Sequence, residues 1–144
     1  MSDTAPGAPA GDFQLDQRLA ADSVFVADGP LSQVRLMDDT RFPWLVLVPR
    51  MADVSEWIDL NGGQQRLLLA EINQLSQLLR VEPGVSKLNI GALGNIVRQL
   101  HVHLVGRHPG DAAWPGPVWG SGNAQRFAAE TLQQHVAAWA QRLR

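Results

Sequence analysis

Between Gln99 and Arg107 the chain reads Gln-Leu-His-Val-His-Leu-Val-Gly-Arg, polar and apolar side chains alternating with a period of two from Gln99 to Leu104. That period belongs to an extended strand with two unlike faces. Leu100, Val102 and Leu104 fall on one face and anchor the strand in a core, while Gln99, His101 and His103 fall on the other. The segment therefore predicts a polar row on a firmly seated platform. An imidazole whose ordinary pKa is about 6.5 is largely neutral, and so nucleophilic, near neutral pH.

The rest of the chain supplies neighbours for such a strand. Val24 to Ala27 and Leu31 to Asp38 read as two strands joined by an Asp28-Gly29-Pro30 turn. Leu45 to Val48 is apolar throughout, which suits a central strand covered on both faces and closed by Pro49. In Asn61 to Arg80, Leu68, Ile72, Leu75 and Leu79 follow helical spacing; Asn61 with Gln64 offers a capping pair, and Pro83-Gly84 stops the helix. This helix is expected to lie across the sheet. Lys87 to Leu93 and Gln99 to Val105 add two strands linked by a tight Gly94-Asn95 turn. Phe13 to Ala21 predicts a short helix. Asn123 to Arg142 predicts the last one, with Phe127, Leu132, Val136 and Trp139 on one stripe. Consecutive strands with short breaks favour an α+β fold: an antiparallel five-stranded meander with one long central helix and a C-terminal helix.

Residues 1–11, rich in Ala, Pro and Gly, are expected to be a disordered tail, leaving 12–144 as a single domain. At 144 residues and 45% hydrophobic content, the chain can bury most of its apolar surface in a single core without staples. Cysteine is absent, which removes disulfides, thiolate metal sites and cysteine nucleophiles together. No run approaches the roughly 18 apolar residues of a membrane span, and the start lacks a signal peptide's basic and apolar regions, so cytoplasmic placement is expected. A formal charge of −2 and a pI near 6.0 argue against binding a nucleic-acid polymer. Small anionic ligands remain open, because one pocket can be locally positive.

The histidine row resembles the signature of the histidine triad (HIT) family, in which three histidines alternate with apolar residues along one strand. His101 falls on the family's middle histidine, its phosphorus-attacking nucleophile, and His103 on the third; Gln99 replaces the first. Upstream, Asp38 to Arg50 (Asp-Asp-Thr-Arg-Phe-Pro-Trp-Leu-Val-Leu-Val-Pro-Arg) is similar to the family's Asp, Pro, apolar strand, Pro, Lys segment, with Arg50 for Lys. Val54 to Leu60 resembles the approach to its long helix. Asn89 and the Gly94-Asn95 pair resemble its phosphate-side residues, with Asn95 where Gln is more usual and Ile96 where a small hydroxyl residue often lies. Ala52 stands where a further histidine is usual. The likeness spans Ser23 to Trp119.

The resemblance implies a nucleotide hydrolase or nucleotidyl transferase. The His101 ring would attack the α-phosphorus of a nucleotide conjugate, expel the leaving group, and hold the nucleotidyl group as a phosphoramidate until water or another acceptor takes it. Its second nitrogen would be held by a backbone carbonyl near Gly94. Asn89, Gly94, Asn95 and His103 would hold the non-bridging oxygens, His103 donating a hydrogen bond or a proton. Gln99 could orient a phosphate oxygen or the leaving atom, but an amide cannot deliver a proton as imidazolium does. The resemblance also implies a homodimer and no required cofactor, any divalent cation arriving on substrate phosphates. Trp114 and Trp119 follow the strand and are candidates for pocket or dimer contacts.

Two other classes fit the same residues: a nucleotide-binding or regulatory protein with little turnover, and a metal-binding protein using His101 and His103. No Cys, Glu or Asp completes a metal cluster within the strand. His108 reads as an exposed loop residue and His135 as a structural one in the last helix. Arg50 and Arg107 read as solvated or paired charges, and Trp44, Trp57 and Trp139 as packing residues.

Overall fold

The structure, a computed structural model, describes residues 12–144; the tail expected over 1–11 lies outside the described residues. A short helix α1 (Gln17–Asp22) leads into β1 (Ser23–Asp28), β2 (Ser32–Met37) and β3 (Trp44–Pro49), then α2 (Gly62–Arg80), β4 (Lys87–Gly91), β5 (Val102–Arg107) and α3 (Ala129–Arg142). The five strands form one sheet in the order β1–β2–β3–β5–β4, antiparallel at every junction. β1 to β3 make a meander. α2 then carries the chain across the sheet to the outer edge, where β4 forms, and β5 returns between β4 and β3.

β3 is buried along its whole length, as its unbroken apolar run predicts. Leu45 and Leu47 face one core cluster; Trp44, Val46 and Val48 face a second. The first cluster lies under the helices, where Leu68, Leu75 and Leu79 of α2 and Leu132 and Trp139 of α3 meet the sheet. Each of the three α2 leucines is at most 1% exposed, a burial worth about 1.5–3 kcal/mol apiece. The predicted capping pair is present in both directions: Gln64 N donates to Asn61 Oδ1 and Asn61 N to Gln64 Oε1, each at 2.8 Å. Midway along α2, Glu71 reaches under the β1–β2 turn, its Oε2 accepting from Leu31 N and Ser32 N. Among the described residues no helix is long and apolar enough to cross a membrane.

Several boundaries differ from the sequence reading. The last helix begins at Ala129, not Asn123, because the preceding residues are bonded to the β2–β3 corner: Thr40 N donates to Gln125 O at 2.7 Å and Phe127 N to Asp38 Oδ1 at 2.9 Å. Those backbone groups cannot also close helical turns. The first helix spans Gln17–Asp22 instead of Phe13 to Ala21, starting after Asp16, whose side chain caps Arg18 N. The fourth strand stops at Gly91 and the fifth starts at Val102, so a ten-residue connection over 92–101 replaces the tight Gly94-Asn95 turn. Gln99 and His101 thus sit on the approach to β5, not within it.

Candidate active site

The face of the sheet opposite α2 and α3 carries the histidines. Leu100, Val102 and Leu104 are buried in the helix-side core, so the alternation turns His101 and His103 to the other side. There they line a cleft of about 570 Å³. Its walls come from distant parts of the chain: Arg18 and Asp22 of α1, Asp38 and Arg41 of the β2–β3 corner, Gly94 to Val97, and Val118 to Gly120.

Both rings are oriented by the protein. His101 Nδ1 lies 2.7 Å from the carbonyl oxygen of Gln99. A carbonyl only accepts, so Nδ1 carries the proton and Nε2 keeps its lone pair. The holding carbonyl is that of Gln99, two residues away on the same segment, not one near Gly94. Trp44 Nε1 donates to His103 Nδ1 at 3.0 Å. Indole is a donor only, so the proton of a neutral His103 sits on Nε2. The two rings meet edge to face, centroids 4.8 Å apart, and Trp119 packs against His103 at 5.5 Å. Opposite His103 on β4 is Gly91, where a Cβ would come within 3.1 Å of the Trp119 ring. A side chain there would require the Trp119 ring to give by a few tenths of an ångström.

Burial, and secondarily the neighbouring His101, pulls the His103 pKa down to about 3. His103 is therefore neutral at physiological pH and donates a hydrogen bond without donating a proton. A linkage prediction follows. The unfolded chain takes up a proton near pH 6.5 that folded His103 refuses until about pH 3, so its stabilising effect is full above pH 6.5 and lost as pH falls towards 3. Between pH 7 and 5, where carboxylates scarcely titrate, urea unfolding should show His103→Asn losing about 2 kcal/mol less stability than the parent protein. Equal losses would rule out a neutral buried His103.

The remaining predicted residues separate into those the fold gathers and those it does not. Gly94 and Asn95 line the cleft, and Gly94 has φ of +71°, a conformation natural to glycine. Trp119 lines it too, its indole nitrogen buried without a hydrogen-bond partner among the described residues. Asn89 does not; its Oδ1 accepts from Arg107 Nη1 at 2.7 Å. Trp114 lies over the Arg107 guanidinium, 5.6 Å from ring centroid to Cζ, and outside the cleft lining. Gln99 borders a neighbouring cavity of about 200 Å³ that shares His101 with the cleft. Its amide is engaged at both ends, Oε1 accepting from Asp16 N at 2.9 Å and Nε2 donating to Gln14 O at 2.8 Å. Arg50 bonds to Asp28 and Gly29 at the other end of β3 from Trp44. Among the described residues no three His, Cys, Asp or Glu gather as a metal site needs.

Sequence reasoning did not assign the charged rim. Asp39 takes Arg41 in a two-pronged ion pair, which with its hydrogen bonds holds the carboxyl below its ordinary range despite burial. Arg126 bridges Asp38 and Asp22. The charge-dense Asp-Asp-Thr-Arg run was a local signal for the first pair; Arg126 arrives from 88 positions away and has none.

The HIT domain family model matches residues 18–110. Among solved structures, the chain is similar to a histidine triad protein from Sinorhizobium meliloti, at 47% identity over 88% of this chain and 93% of that one, with a TM-score of 0.84. It is similar to another from Marinobacter aquaeolei, at 44% identity over 92% and 96% with a TM-score of 0.87. A third, from Bradyrhizobium japonicum, is 43% identical over 92% and 98%, also with a TM-score of 0.87. No curated protein matches.

Proposed function

The chain belongs to the histidine triad family, and from that premise we propose that it is a nucleotide hydrolase or nucleotidyl transferase acting at an α-phosphate through His101. The observation that carries this reading is the 2.7 Å contact between His101 Nδ1 and the Gln99 carbonyl, which leaves the Nε2 lone pair available beside a nucleotide-sized cleft. Nε2 attacks the α-phosphorus, a bond to phosphorus forms, and the bond to the leaving group breaks with its electron pair. The non-bridging oxygens are held by donors around Asn95 and by His103 Nε2–H. Water or another acceptor then attacks phosphorus and gives up its proton to solvent, while the bond between phosphorus and Nε2 breaks and its electron pair returns to the ring.

Neither neighbour can protonate what leaves. The Gln99 amide is bound to backbone, and His103 is neutral. The reading therefore favours conjugates whose leaving group departs as a stable anion, a phosphate or polyphosphate, over amines. It takes the protein as a cytoplasmic homodimer whose partner is a small molecule, with any divalent cation brought on substrate phosphates. The same engagement of Gln99 favours, as second reading, a nucleotide-binding protein with little turnover.

The test is a rapid-quench intact-mass experiment on purified protein with dinucleoside polyphosphates, nucleotidyl sugars and nucleoside phosphoramidates. Acid-labile mass equal to one nucleotidyl group, lost as product appears, is the expected outcome. Product release without the adduct would point to direct attack by water, and nucleotide binding without product to the second reading.

A further inference from the structure

Gln99 stands where the family has its first histidine, yet its amide faces the N-terminal segment. We propose that Gln99 is a positioning residue that clasps residues 14–16, and that the segment so held seats Arg18 in the cleft to bind an anionic group of the ligand. The proposal rests on the nucleotide reading above, which supplies the anion as a phosphate.

A side-chain amide has a donor end and an acceptor end, and so can stand in for a peptide group beside an extended chain. Gln99 does this, taking the N–H of Asp16 and giving to the carbonyl of Gln14. A carboxylate has no donor for the second bond, and imidazole places its two nitrogens on a rigid ring. The tie continues along the chain. Phe13 and Leu15 pack against the site-side core cluster, and Asp16 Oδ1 accepts from Arg18 N at 2.8 Å, fixing the start of α1.

The cleft then receives three arginines that are not equivalent. Arg41 donates to Asp39 and to the Ser121 carbonyl. Arg126 donates to Asp38, Asp22 and the Ala21 carbonyl. Arg18 lines the same cleft with no side-chain partner among the described residues. A guanidinium fork with its donors free matches the oxygens of a phosphate. The residue that replaces a histidine of the triad would thus act on the ligand only through the chain it holds.

Calorimetric titration of the adenosine and guanosine series (nucleoside, mono- and diphosphate) against the parent protein, Arg18→Gln, Gln99→Ala and the double variant tests this. Hydrogen exchange over residues 13–22 runs alongside. The nucleotide-to-nucleoside affinity ratio should fall about tenfold in Arg18→Gln, with partial recovery in Arg18→Lys. Gln99→Ala should speed exchange over 13–22 and lower the same ratio, and the double variant should be no worse than Arg18→Gln alone. Unchanged exchange in Gln99→Ala overturns the clasp, and additive losses overturn action through Arg18. A loss equal for nucleosides and nucleotides overturns the anionic role. If the parent protein binds no nucleotide, the functional reading fails together with the ligand half, while exchange still decides the clasp.

Discussion

His101→Asn should slow single-turnover release of nucleotide by roughly 10⁴-fold or more, and abolish the acid-labile adduct. The amide keeps polarity at the position but has no lone pair able to attack phosphorus. Because the ring faces the cleft, water can fill the space it leaves, and the cost in folding stability should stay near 1 kcal/mol. Ligand affinity should change little, since the donors that hold phosphate are elsewhere. The measurement is single-turnover kinetics on the fastest substrate of the screen, with thermal unfolding as the control for folding. A variant that turns over at the parent rate while folded would remove His101 from the chemistry and leave the cleft as a binding site.

What the sequence disclosed, and what it did not, divides by how far apart the interacting residues lie. The β3 run, the leucine stripe of α2 and the Asn61–Gln64 cap are local patterns, and each appears as expected. The face assignment of His101 and His103 followed from alternation alone and holds even though His101 precedes the strand proper. Misplaced features all depend on distant partners. Helical spacing over 123–128 is overridden because Asp38 and Thr40 claim that backbone. The Gly94-Asn95 pair suggested a hairpin, but the chain needs a longer excursion to shape the cleft rim. Gln99 shared a face with two histidines and so invited a role in phosphate chemistry, while its partners are 83 and 85 positions away. No spacing rule over nine residues could reach them.

At Arg107 the largest stability effect is expected. Its side chain is 1% exposed, and that of its partner Asp111 2%. Nε and Nη2 donate to the two carboxylate oxygens at 2.7 and 2.9 Å, Nη1 to Asn89, and Nη2 also to the Gly116 carbonyl. Asp111 in turn accepts from the backbone of His108, Ala113 and Trp114. The pair therefore fixes the start of the loop that brings Trp119 to His103. Removing one partner of a buried pair strands the other's charge, so Arg107→Met should cost about 3–5 kcal/mol in chemical unfolding. The Arg107 side chain, with those backbone bonds, holds the Asp111 carboxyl far below the ordinary carboxylate range. In the parent protein its contribution is therefore complete above about pH 4 and is lost only as pH falls below that. In Arg107→Met the deficit should accordingly shrink in acid, where Asp111 takes a proton and the stranded charge disappears. Arg107→Met with Asp111→Asn should recover part of the loss at pH 7, because a buried amide costs less than a buried unpaired carboxylate. A deficit under 1 kcal/mol, or one indifferent to both pH and Asp111→Asn, would mean that the loop is held by its apolar packing and not by the ion pair.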